Sequence, residues 1–241
     1  MKVDKKPKWL HWYQIAGLCI IPIVLMFIVW AIVYKVQLEG DFSEIWFGSL
    51  NFFSQQSNFI VMSFMILYFF IPNNKMFRNN SFFLISVSYI TITSFMFNVL
   101  LVPIGFALGI AQTVLADPIP VINTLMLHCV MPIYFILFFI FCYKTKTISY
   151  RYEKNYWKYI LYGSIYIVCY LFYVFIVPFC TDRVIYTQYS NCNPNMYVVE
   201  KGGETGAYGN PLYIFIFIAV YLVFVLSMSS YWLIMRRKAK R

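Results

Sequence analysis

The stretch PVINTLMLHCVMPIYFILFFIFC, Pro120 to Cys142, contains no Asp, Glu, Lys or Arg, and its one basic side chain is His128. An α-helix rises about 1.5 Å per residue, so an apolar run of this length suits a hydrocarbon core of about 30 Å. Working outward, five more blocks of similar length appear: Tyr13 to Val36, Phe47 to Ile71, Phe82 to Leu101, Trp157 to Phe179 and Pro211 to Met235. With 61% hydrophobic and 12% charged residues, against about 25% charged in an ordinary soluble domain, a soluble fold is excluded. The expected fold class is therefore all-α: a polytopic membrane protein with six transmembrane helices. No repeat or long polar linker divides the chain, so residues 1–241 read as one domain. The first block is too long for a signal-peptide core and is expected to remain as an anchor.

Cytoplasmic flanks of membrane spans collect Lys and Arg. Sixteen of the 19 basic residues fall on one side: the arm from Lys2 to Lys8, the second loop with Lys75 and Arg78, the fourth loop and its flanks from Lys144 to Lys158, and the tail from Arg236 to Arg241. The opposite side holds Glu39, Asp41, Glu44, Asp117, Asp182, Glu200 and Glu204. Both termini are thus expected to be cytoplasmic, in a multi-pass protein of the cell membrane. The net charge of +10 lies beside the spans, where topology and anionic headgroups account for it, so no nucleic-acid partner is implied.

Cysteines divide by compartment. Cys19, Cys129, Cys142 and Cys169 fall within or at the inner ends of spans, whereas Cys180 and Cys192 fall on the outer side and are candidates for a disulfide. His11 at the cytoplasmic edge and His128 in the outer half cannot share a metal, and no thiol and imidazole set has ligand spacing. No metal and no cofactor are expected.

Polar side chains inside spans are functional candidates, because hydrocarbon leaves each needing a partner. The second span carries Ser54, Gln55, Gln56, Ser57 and Asn58, the third Thr91, Thr93, Ser94 and Asn98, and the fourth Asn123, Thr124 and His128. Counting rise per residue puts Ser54 about 10 Å, His128 about 12 Å and Asn98 about 7 Å below the outer surface. A hydroxyl and an imidazole at one depth are the minimum for nucleophilic acyl chemistry, with Ser54 as nucleophile and His128 as base. Asn58, Gln55 or Asn98 are candidate amide donors to an oxyanion, Asn58 being preferred for sharing a helix face with Ser54. No carboxylate lies inside a span, so a dyad is expected; Asp117 folding back, Asn98 or Thr124 are the candidates to orient the ring. The same residues also suit a purely structural role, since Ser, Thr, Asn and Gln serve as hydrogen-bond glue between membrane helices. Tyr162, Tyr166, Tyr170 and Tyr173 form a helical stripe in the fifth span, read as helix packing.

The runs FFSQQSNFIVM (52–62), ITSFMFNVLLVP (92–103) and LMLHCVMPIYFIL (125–137) occur in this order. Together they resemble the signature segments of the androgen-induced and androgen-dependent integral membrane hydrolases of animals and their shorter bacterial relatives. That resemblance implies a six-helix protein that hydrolyses esters of fatty acids with hydroxy fatty acids, using a Thr nucleophile and a His. The His carries over to His128 and the nucleophile to position 54, where this chain has Ser. A second departure is YGNPLYIF (208–215), which only partly echoes the Tyr and Pro-rich segment before the last span. The expected function is an intramembrane lipid-ester hydrolase or acyl-transfer enzyme, with membrane lipids as partners and a lipid ester as substrate. The alternative is a non-catalytic multi-pass protein, such as a small permease or assembly partner.

Overall fold

A computed structural model describes residues 11–39, 53–70, 80–107, 118–145, 155–180, 197–201, 204–208 and 212–239. In chain order the elements are α1 (Trp12–Glu39), α2 (Phe53–Phe70), α3 (Asn80–Phe95), the π-helical segment π1 (Met96–Leu101), α4 (Val102–Ala107), α5 (Pro118–Leu125), the π-helical segment π2 (Met126–Val130), α6 (Met131–Thr145), α7 (Tyr156–Cys180), strands β1 (Tyr197–Lys201) and β2 (Glu204–Tyr208), and α8 (Leu212–Ala239). The chain is a helical membrane protein, and the α3–π1–α4 and α5–π2–α6 rods are each continuous. Four stretches among the described residues are long and apolar enough to cross a membrane: Trp12–Trp30, Ser81–Leu100, Val121–Cys142 and Phe217–Arg237.

Apart from one hairpin, every described element is helical. The hairpin lies between α7 and α8 in the sequence. Its strands pair antiparallel from Tyr197↔Tyr208 to Lys201↔Glu204, leaving Gly202 and Gly203 between the paired ends.

Side-chain contacts show four helix pairs to be antiparallel, the pairing of α7 with α8 including a bond from Tyr156 to Ser229. Gln14 near the start of α1 donates to Tyr68 near the end of α2, and Ser57 of α2 meets Thr93 of α3. Farther along, Asn98 of π1 meets His128 of π2, and Ser164 of α7 meets Tyr221 of α8. The core is aromatic where α2, α3 and α6 meet: Phe64 stacks on Phe83 at 4.5 Å, with Phe135 edge-on to both. Two glycines permit close approach. A Cβ on Gly17 would stand 2.1 Å from the Tyr134 hydroxyl, and one on Gly163 would stand 2.4 Å from Phe224. Much of the outer face is apolar and exposed, including Trp30, Ile133, Leu161, Phe172 and Leu226, as expected for helices that face lipid.

A candidate polar site at two proline-induced bulges

Both π segments have a local cause in the sequence. In π2 the N–H of Met131 bonds to the carbonyl of Met126, five residues back. The next residue is Pro132, which has no N–H to give. The carbonyls of Leu127 and His128 are therefore both left without a partner from their own helix. The same pattern occurs in π1, where the Val102 N–H bonds to Phe97 O and Pro103 follows. Such bulges are frequent at functional sites, because they widen the helix and re-aim its side chains.

Neighbouring helices supply the missing donors. Asn58 Nδ2, from α2, donates to Leu127 O at 3.0 Å and to Ser54 O at 2.7 Å. Asn98 Nδ2, from π1, donates to His128 O at 3.1 Å and to Ser94 O at 2.8 Å. Cys129 closes this edge with its thiol donating to Asn98 Oδ1 at 3.1 Å. Asn58 is fully buried, whereas Asn98 is exposed along its helix face.

His128 is buried, with its ring 4.2 Å from that of Phe97. Its Nδ1 lies 3.0 Å from Thr124 O. A carbonyl can only accept, so Nδ1 carries the proton and Nε2 presents a bare lone pair. Nε2 has no hydrogen-bond partner among the described residues. Thr124 is thus the orienting residue of the three considered, and it acts through its main-chain carbonyl rather than its hydroxyl. Asn98 touches His128 through the backbone, and Asp117 lies outside the described residues.

Ser54 is half-buried in the first turn of α2, with its hydroxyl uncommitted among the described residues. One nitrogen, Asn58 Nδ2, binds both Ser54 O and Leu127 O, so the main chain of Ser54 sits against the bulge that carries His128. Ser54 Oγ and His128 Nε2 are not hydrogen-bonded to each other. The hydrogens of Asn58 and Asn98 are already held by carbonyls, so these amides cap the bulge in this arrangement instead of offering N–H groups to an oxyanion. Gln55 is the candidate whose amide remains uncommitted among the described residues.

Tyrosines of α7 grip the same turn. The Phe53 N–H donates to Tyr170 OH at 2.8 Å, and Tyr166 OH donates to Gln56 Oε1 at 2.5 Å. The Tyr stripe is split by this: Tyr166 and Tyr170 turn inward onto α2, while Tyr162 is exposed. Cys180 closes α7, and Cys192 lies outside the described residues, as does the pairing considered between them. Among the described residues no group of three or more His, Cys, Asp and Glu could hold a metal ion.

Apolar helices packed around a buried polar layer at two bulges define the class as a polytopic helical membrane protein. More particularly, the chain belongs to the family described as protein of unknown function DUF1600, whose pattern matches residues 121–241. The matched part begins seven residues before His128 and includes π2, α6, α7 and α8. The chain is also similar to the uncharacterized protein MG452 of Mycoplasma genitalium, with 24% identity over 233 residues, covering 93% of this chain and 81% of that protein. No solved structure matches.

Proposed function

We propose that this protein is an intramembrane lipid-ester hydrolase or acyl-transfer enzyme in which Ser54 is the nucleophile and His128 the base. The observation that carries the reading is the state of the His128 ring: Nδ1–H is fixed on Thr124 O while Nε2 is buried with its lone pair free. That is the tautomer a general base requires. Ser54 Oγ would attack the ester carbonyl, its proton passing to Nε2. His128 would then protonate the departing alcohol, and water would release the acyl group from Ser54. Separation of hydroxyl and imidazole in the unliganded protein is compatible with this, since catalytic hydrogen bonds often tighten only when substrate binds. The resemblance of the three segments to androgen-induced and androgen-dependent membrane hydrolases supports the same assignment.

The finer topology belongs to this proposal: six spans in the cell membrane, both termini cytoplasmic, with Ser54 and His128 in the outer half. The antiparallel contacts in four helix pairs and the distribution of Lys and Arg among the loops support it. At that depth a glycerolipid ester would reach the site sideways from the bilayer. Cysteines placed at Glu44 and Asp117 should react with an impermeant thiol reagent from outside, and one at Lys240 only after permeabilisation.

A second reading is favoured by the amide caps themselves. Asn58 and Asn98 satisfy backbone carbonyls, as they would in a protein whose polar layer is wholly structural. Labelling with a long-chain fluorophosphonate separates the two. Covalent labelling of the wild type, lost in Ser54→Ala and in His128→Ala, is expected for the enzyme. An unlabelled wild type, or equal labelling of Ser54→Ala, would leave the structural reading.

A further inference from the structure

Hydrogen-bond donors are in short supply around His128. Asn58 Nδ2 and Asn98 Nδ2 are spent on carbonyls. The Ser57 and Thr93 hydroxyls lie 2.6 Å apart, with Ser54 O and Tyr89 O as their further acceptors. The Cys129 thiol is given to Asn98 Oδ1. Against these, three buried acceptors in this half of the bundle have no partner among the described residues: Asn58 Oδ1, Asn123 Oδ1 and His128 Nε2. The roles of Asn58 and His128 are fixed, because the carbonyls that hold Asn58 Nδ2 and His128 Nδ1 can only accept.

Leaving such an acceptor bare costs about 1 to 3 kcal/mol. The geometry points to a bound water molecule at the wall between α2 and π2, donating one hydrogen to Asn58 Oδ1 and the other to His128 Nε2. Asn58 holds the carbonyl of Leu127, the residue before His128, so both acceptors belong to residues at the contact of α2 with π2. Water fits the count: it brings two hydrogens to two lone pairs, whereas the Ser54 hydroxyl or a lipid alcohol brings one. An ammonium group would add a charge that hydrocarbon disfavours. A buried water typically makes two to four hydrogen bonds to otherwise unsatisfied groups, and the π-bulge breaks the helix wall where it would sit. Asn58 is then a positioning residue for this water. Its use in catalysis rests on the hydrolase reading: the water attacks the Ser54 ester carbonyl, its proton goes to His128 Nε2, and Ser54 Oγ leaves with the proton that His128 returns. The binding itself does not depend on that reading.

Water-to-nitrogen magnetisation transfer in the full-length protein, reconstituted in lipid bilayers with 15N-labelled histidine, tests the site. The chain has two histidines, and His11→Gln leaves His128 as the sole signal. Early transfer from water to Nε2 is expected in the wild type. It should persist in Thr91→Val, which removes a half-buried bond to Tyr231 elsewhere in the bundle. It should be lost in Asn58→Leu and kept in Asn58→Asp, whose buried carboxyl stays protonated and so keeps one acceptor oxygen and one O–H for the carbonyls. No transfer in the wild type overturns the site, as does undiminished transfer in Asn58→Leu, loss in Asn58→Asp, or equal loss in Thr91→Val. If Asn58→Leu does not fold, the wild type and Asn58→Asp decide. A protein that shows the water but never labels at Ser54 sinks the hydrolase reading alone; one that labels with a dry Nε2 sinks the water site alone.

Discussion

The side-chain amide of Asn58 holds the main-chain carbonyl of Leu127 at 3.0 Å, across 69 residues of sequence, and so ties the turn that carries Ser54 to the bulge that carries His128. Both ends of this tie are buried, and the Leu127 carbonyl has no donor from its own helix. The relation makes several consequences measurable.

Asn58→Leu keeps the branched shape of the side chain but strands Leu127 O. The expected loss is about 1 to 3 kcal/mol, the cost of an unsatisfied buried group. Asn98→Leu should cost less, nearer the 0.6 kcal/mol typical of interhelical bonds in membranes, because Asn98 is exposed. Unfolding of both variants in mixed micelles gives the comparison, and equal losses would count against the difference in burial.

Pro132→Ala restores an N–H to the residue that follows the bulge. The α6 ladder should then extend backward, satisfy a carbonyl that an Asn now caps, and rotate His128 relative to α6. Thermal stability is expected to hold or rise while fluorophosphonate labelling falls. Unchanged labelling would mean that the bulge does not aim the ring.

Thr124 acts through its carbonyl, so Thr124→Val should leave labelling near the wild-type level, while His128→Phe abolishes it. A large loss in Thr124→Val would place the hydroxyl, not the carbonyl, in the orienting role.

Tyr170→Phe deletes the acceptor for the Phe53 N–H while keeping the ring that packs 5.3 Å from Phe53. The first turn of α2 should loosen, lowering the labelling rate at Ser54 more than it lowers global stability. The expected stability change is about 0.6 kcal/mol.

Gly163→Ala puts a methyl group into the Phe224 ring and overpacks the α7 and α8 contact, for a loss of about 1 to 3 kcal/mol. Gly163 O also accepts from Tyr89 OH at 2.7 Å, so a shift of α7 would break that bond as well. A neutral substitution would show that the two helices separate freely.

The helices were legible because their signal is composition over about 20 residues, which no neighbour alters. The block read from Tyr13 to Val36 became Trp12–Glu39, and that from Trp157 to Phe179 became Tyr156–Cys180. The polar layer was legible too, since rise per residue brings Asn98 and His128 to one level, and they touch. The bulges were missed although their cause is printed in the chain: Pro103 and Pro132 each follow a polar residue by four or five positions.

By itself, then, the sequence determined the apolar blocks and the places of Ser54, Asn98 and His128 along them, because each depends only on local composition and residue order. Only the tertiary structure decided what those groups do with their hydrogens. Asn58 and Asn98 became caps because Pro132 orphans two carbonyls beside them, and His128 kept a free Nε2 because Thr124 O claims the other nitrogen. Hydrogen-bond partners across helices are set by packing azimuth, which a π-bulge shifts and which no count along the chain contains.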